Sequence, residues 1–183
     1  MPSVPYWNGG DAEAEAAAER TRARRGGALF NLDRILLHSP PAAAGWTAYM
    51  GPIRNDLALP ARYRELAMCA VAQLNDAPYE FHHHAPLLLS AGASTAQVDA
   101  LADVDAAIAT PGLFDAAELA VLRFSRDSTR HVAVKPEVMA EVRAAFPDSR
   151  LTVELILVVA AYNMVSRVLV AAGVEIEGEE APA

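Results

Sequence analysis

The residues best suited to chemistry lie in one stretch, Glu65–His84, which reads ELAMCAVAQLNDAPYEFHHH. Within it Glu80 and His84 are spaced i, i+4. On a helix that spacing puts both on one face and within hydrogen-bonding reach. A carboxylate beside an imidazole favours the protonated ring, and such a pair can donate and accept protons. The same spacing also describes an ordinary surface pair or a satisfied core pair. Glu65 belongs to the preceding helix and could be a second proton carrier facing Glu80 and His84, or a solvated charge paired with Arg62 or Arg64.

His82, His83 and His84 are consecutive. Successive helical residues point about 100° apart, so one helix cannot aim all three at one ion. A metal site would need Glu80 with His83 or His84 and further ligands from other helices. His38 and His131 are the only other histidines. No metal site is therefore assigned, and a metal-dependent enzyme stays as an alternative. Pro86 removes the hydrogen bond to the carbonyl of His82 and should kink the turn that carries the histidines.

Cys69 is i+4 from Glu65 and reads as a small buried hydrophobe, reactive only with a lowered pKa. In the last apolar segment Asn163 and Arg167 are again i, i+4. Arg167 could hold a substrate carboxylate in a bidentate way, or could pair between helices or subunits. Tyr79 joins Asn163 and Arg167 as a candidate substrate contact.

The elements that must position these residues are all helical. Residues 1–10, with two Pro and two Gly, predict an arm that is loose or ordered on contact. Asp11–Arg25 favours helix, with acids leading and arginines trailing, and Gly26-Gly27 ends it. Phe30–His38 is a short amphipathic helix closed by Pro40 and Pro41, and Ala42–Met50 is another, ending at Gly51. After Pro60, residues Tyr63, Leu66, Ala67, Ala70, Val71 and Leu74 keep a helical period. Tyr79–Ala91 follows, with Gly92 suited to a left-handed end. Ser94 and Gln97 form a capping box, and Asp115 and Glu118 do the same for a helix to about Thr129. Pro136–Phe146 comes next. Pro147 stops it, and Asp148 or Ser149 caps a final helix to Ala172. No alternating pattern persists long enough for a sheet. The expected architecture is all-α, a bundle of about seven or eight helices. The expected boundaries are an N-terminal arm and helix over 1–27, one domain over 28–174 and an acidic tail over 175–183.

With 183 residues and 21% charged residues the chain suits one domain with a sizeable core. A net charge of -8 builds no basic face for nucleic acid or anionic lipid. One cysteine excludes an intramolecular disulfide and suits a reducing, cytoplasmic setting. The first twenty residues lack the basic and apolar regions of a signal peptide. The longest apolar run, Leu151–Ala172, contains Glu154, Asn163, Ser166 and Arg167. A mid-membrane Arg alone costs roughly 2.5–3.5 kcal/mol, so the run reads as a core or subunit-interface helix rather than a membrane span.

Four stretches resemble the carboxymuconolactone decarboxylase family: LFNLDRILLHSPPAAAGW, LPARYRELAMCAVAQL, YEFHHHAPLLLSAGAS and ELILVVAAYNMVSRVLVAAGV. Their order and spacing match too. The resemblance implies an alkylhydroperoxidase D-like all-α fold forming dimers, trimers or hexamers. The peroxidase branch of that superfamily carries Cys-x-x-Cys-x-x-x-His with a glutamate one helix earlier. Setting its histidine on His84 puts the thiol positions at Ala77 and Glu80 and the glutamate on Glu65. The acid and the histidine are present and both thiols are absent. Peroxide reduction by thiols needs a resolving pair, so the resemblance points to the decarboxylase-like branch. It implies a cofactor-independent lyase or isomerase acting by acid–base chemistry on a small carboxylated lactone or related enolisable compound. Glu80 and His84 would transfer protons, with Glu65 and His83 assisting. The non-enzymatic alternative is an oligomeric ligand-binding protein.

Overall fold

The computed structural model describes residues 2–179. Among them are ten helices and no strand. The chain divides into two compact units. One runs to Asn55 and resumes at Val168, and the other is Asp56–Arg167.

The first unit holds α1 (Ala12–Arg25), α2 (Asn31–Leu36) and α3 (Pro40–Asn55). Asp11 caps α1 by accepting from the Glu13 N–H, and Gly26 ends it at φ 78°. Trp7, Ala14, Ala17, Ala18 and Leu37 form its small core. The arm is ordered: the Ser3 N–H donates to the Ala172 carbonyl at 2.7 Å and the Trp7 N–H to that of Arg34 at 3.1 Å. The start of the acidic tail is held too. The Glu177 carboxylate accepts from the Asn31 N–H at 2.8 Å, and the Tyr6 hydroxyl accepts from the Glu175 N–H at 2.9 Å. Residues 180–183 of that tail lie outside the described residues.

The second unit holds α4 (Ala61–Leu74), α5 (Pro78–Ser90), α6 (Thr95–Ala100), α7 (Val104–Ala109), α8 (Ala116–His131), α9 (Pro136–Ala145) and α10 (Ser149–Ala172) as far as Arg167. α4 packs against α5 and α8. Every residue from Glu65 to Ala72 on it is buried, because this helix is enclosed on several sides. The inward face of α10 carries Leu155, Val158, Val159, Tyr162 and Val165. Its other face leaves Val153, Ile156, Leu157 and Met164 exposed. The long apolar run is thus half core helix and half apolar surface.

The helix count of about seven or eight is corrected to ten, for local reasons. Pro40 and Pro41 open α3 instead of closing α2, since a first-turn proline lacks an N–H that would have no partner anyway. α3 also continues through Gly51 and Pro52 to Asn55. The segment after Ser94 is two short helices, the second restarted by Asp103, whose side chain accepts from the Ala106 N–H. The capping boxes at Ser94 and Asp115 form as the sequence predicts, and Gly92 takes φ 96° beyond α5.

Candidate functional site

α4 and α5 are antiparallel neighbours joined by the short turn Asn75–Ala77, where Asp76 takes φ 51°. An Asp tolerates that left-handed conformation better than most residues. The entry to α4 is fixed from α10. The Glu154 carboxylate accepts the Leu59 N–H at 2.6 Å and pairs with Arg150 at 2.8 Å. Arg64 is spent on the carbonyls of Leu57 and Leu59, at 3.2 and 2.8 Å. Arg62 is spent on Glu118 and Gln97. Neither arginine is the partner of Glu65.

That partner is His84. Its Nδ1 lies 2.7 Å from Glu65 Oε2, and both side chains are buried. The helical spacing of Glu80 and His84 suggests a pair within α5, but the carboxylate bonded to His84 comes from α4. Glu80 does lie on the same inward face and is 2% exposed. The Ser166 hydroxyl of α10 donates toward Glu80 Oε2 at 3.0 Å and toward the Tyr162 carbonyl at 2.8 Å. The Tyr162 ring meets the His84 ring edge-on, with centroids 4.9 Å apart. Cys69 completes the group from α4. Burial pushes its thiol pKa well above the ordinary range, and the carboxylates of Glu65 and Glu80 push it further. The thiol is therefore a packing group. The site gathers two acids, an imidazole and a hydroxyl in a low-dielectric interior, where each polar contact is strengthened.

Asn163 and Arg167 fall outside this group. His83 is half-buried, its ring 4.5 Å from that of Tyr79 and 5.3 Å from that of His82. Tyr79 is itself buried. Asn163 accepts from Asn75 at 3.1 Å and Arg167 at 2.9 Å, and donates to Thr129 at 3.0 Å. It is a structural junction of α10 with α8 and the α4–α5 turn. Arg167 is exposed and bonds the backbone and side chain of Asn163. Among the described residues no three His, Cys, Asp or Glu side chains are grouped to hold a metal. A groove of about 780 Å³ follows the outer face of α5, lined by Gln73, Asp76, Phe81, His82, Pro86 and Leu89 among others. Glu65, Glu80 and His84 face away from it, on the opposite side of the helix. α5 continues through Pro86 to Ser90, whose hydroxyl donates to the Pro86 carbonyl at 2.9 Å.

Two members of the cluster escape a reading of the sequence, Tyr162 and Ser166. Their i, i+4 spacing in an otherwise apolar helix was the available signal. Asn163 and Arg167, one residue further along each, have the same spacing and are more polar.

Residues 40–124 match the model of the carboxymuconolactone decarboxylase family, a span that includes Glu65, Glu80 and His84 but not α10. Solved structures share the fold across nearly the whole chain. A peroxidase-related protein from Silicibacter sp. TM1040 superposes with a TM-score of 0.78 at 16% identity, covering 98% of this chain and 95% of that one. The debrominase Bmp8, in complex with 2,3,4-tribromopyrrole, gives 0.76 at 16% identity, with 97% and 95% covered. A peroxidase-related protein with an alkylhydroperoxidase core, from Ralstonia eutropha JMP134, gives 0.76 at 16% identity, with the same coverage. At these identities the likeness is one of fold. No curated protein sequence matches. The fold is that of the all-α alkylhydroperoxidase D-like proteins. The family match is confined to residues 40–124, and over the rest of the chain the likeness is one of fold.

Proposed function

We propose that the protein is a cofactor-independent lyase or isomerase that transfers protons through His84, held by Glu65, on a small carboxylated lactone or related enolisable compound. One observation carries this reading: the 2.7 Å contact between His84 Nδ1 and Glu65 Oε2 inside the protein. A carboxylate on Nδ1 fixes the ring and supports its positive charge, which leaves Nε2 as the nitrogen for substrate. In a decarboxylation, the bond from carbon to the substrate carboxylate breaks and CO2 leaves. The electron pair stays on the carbon, conjugated with the lactone carbonyl, and the imidazolium protonates it. Water then returns a proton to the ring. In an isomerisation the same nitrogen removes a proton beside the carbonyl and returns it at another carbon. Both balance with no oxidant or reductant.

The resemblance supports this branch over thiol peroxidase chemistry, because Ala77 and Glu80 stand at the thiol positions and Cys69 is buried. Arg167, exposed and one residue after Ser166, is the candidate partner for a substrate carboxylate. The exposed apolar face of α10 supports a homo-oligomer, and the single buried thiol suits the cytoplasm. The test is a panel of carboxylated lactones followed by proton NMR, with wild type and His84→Ala side by side. Turnover lost in His84→Ala supports the reading. Full turnover in His84→Ala overturns it.

A further inference from the structure

Three polar side chains along the groove on α5 are left unused by the fold. Gln73 reaches it from α4, Asp76 from the turn and His82 from α5. Among the described residues none of these three side chains makes a hydrogen bond or an ion pair, and His82 has only its ring contact with His83.

Helical spacing builds the rest. Pro78, His82 and Pro86 form one row at i, i+4 and i+8, and Phe81, Ala85 and Leu89 form the next. Glu80, His84 and Leu88 form the buried row opposite. The small side chain of Ala85 leaves room beside Phe81, and the two proline rings add flat apolar faces. A space of about 780 Å³ with apolar walls and a few polar groups is the ordinary make-up of a small-molecule site.

The polar groups favour a ligand that donates. Asp76 supplies the groove's one carboxylate, which when ionised only accepts. Pro86 has no N–H, so the His82 carbonyl lacks its regular donor four residues on and is a second acceptor. Gln73 and the His82 ring can each give or take a bond. Arg167, which shares Asn163 Oδ1 with Asn75 of the turn, does not line the groove. The net charge of -8 adds an attraction for cations.

We propose that this groove binds a small aromatic amine, with its ring against Phe81 and the prolines and its ammonium group on Asp76. The site is separate from the Glu65–His84 pair, which faces the other way across α5, so its test does not depend on lactone turnover.

The test is a titration of the labelled whole protein with 1-naphthylmethylamine, followed by nitrogen–proton correlation NMR. The amides of Gln73, Asp76, Phe81, His82, Ala85 and Leu89 should shift together and saturate. The anion 1-naphthylacetate should bind more weakly than the amine. Asp76→Asn should weaken the amine by about two- to fivefold, the worth of one exposed ion pair, and so narrow that gap. Asn tolerates the left-handed turn as Asp does, so this variant should keep the fold. Ala85→Trp fills the groove and should abolish binding of both probes. If Ala85→Trp fails to fold, the wild-type shift map and Asp76→Asn decide the matter. Shifts that do not saturate, that map away from α5, or that leave the amine no tighter than the acid overturn the proposal.

Discussion

Glu65 and His84 come from different helices, 19 residues apart in sequence, and meet at 2.7 Å with both side chains buried. The contact bridges α4 and α5, so it serves the packing of that helix pair as well as any chemistry. Glu65→Gln keeps the volume and removes the charge that supports an imidazolium. We expect kcat on the true substrate to fall by roughly 10²–10⁴-fold, the usual worth of a positioned acid–base group. Glu65→Ala should also lower stability by about 1–3 kcal/mol, because a buried ring nitrogen loses its partner. Steady-state kinetics and urea unfolding read the two effects separately. Unchanged kcat in Glu65→Gln would remove Glu65 from the mechanism.

Arg62 holds three helices. It donates to Glu118 of α8 and to Gln97 of α6 at 3.1 Å, and Gln97 in turn donates to the Leu113 carbonyl at 2.9 Å. Glu118 also closes the capping box of its own helix by accepting from the Asp115 N–H at 2.9 Å. Arg62→Met should cost about 2–3 kcal/mol, below the 3–5 kcal/mol of a fully buried broken pair because Arg62 keeps some contact with water. A double-mutant cycle with Glu118→Gln should return a coupling of about 0.5–3 kcal/mol. Additive losses in urea unfolding would show that the two act independently.

Cys69 should be inert while the protein is folded. Burial raises its thiol pKa, with Glu65 and then Glu80 adding to the effect. The sign follows from linkage. A pKa raised by folding favours the unfolded state once pH exceeds the unfolded thiol value, so its contribution is intact below about pH 8.5 and declines above it. Native protein at about pH 8 should resist iodoacetamide, and labelling should appear only when urea unfolds the chain. Mass spectrometry of the intact protein measures this. Rapid labelling of the native protein would contradict the buried placement.

Glu65, Glu80 and His84 could each be named from the sequence, and Glu65 could be set opposite the other two across a helix pair, but not which of them it bonds. The i, i+4 spacing within one helix is written in a single stretch of chain, whereas a bond between helices depends on how α4 and α5 turn against each other. Periodicity located α4, while capping residues and prolines marked α8, α9 and α10. It misjudged α3, where Pro40, Gly51 and Pro52 look like breaks but occupy a helix start or are tolerated inside it. Ser166 was hidden for the opposite reason. A hydroxyl in an apolar run attracts less notice than Asn163 and Arg167, whose polarity instead serves a junction with Asn75 and Thr129. The arm and the tail's start were the least legible, since Ser3, Tyr6 and Asn31 are pinned by contacts with residues far along the chain.

Glu154 offers a stability test away from the cluster. Leu59 precedes the proline that opens α4, and its N–H finds its acceptor in the Glu154 carboxylate at 2.6 Å. Glu154→Ala should cost about 1–3 kcal/mol by leaving a buried donor without a partner. Arg150→Ala removes the exposed i, i+4 partner and should cost only about 0.3–0.5 kcal/mol. Urea midpoints should rank the two in that order. Equal effects would mean that the Leu59 bond contributes little.

Val132 is where a substitution should raise stability. It follows α8 with φ 63° and ψ -49°, and the next N–H, that of Ala133, bonds back to the His131 carbonyl at 2.7 Å. This is a tight γ-turn of the strained hand, uncommon for any side chain and worst for a β-branched one. The side chain is 86% exposed, so little packing holds it there. Strain of this kind costs about 1–3 kcal/mol. Glycine adopts positive φ freely but loses roughly 0.5–1 kcal/mol more in backbone entropy on folding. Val132→Gly should therefore gain about 1 kcal/mol, seen as a higher Tm and an unchanged urea m-value. Val132→Ala should gain less, because it keeps a Cβ in the strained region. A loss of stability in Val132→Gly would show that the turn relaxes in solution.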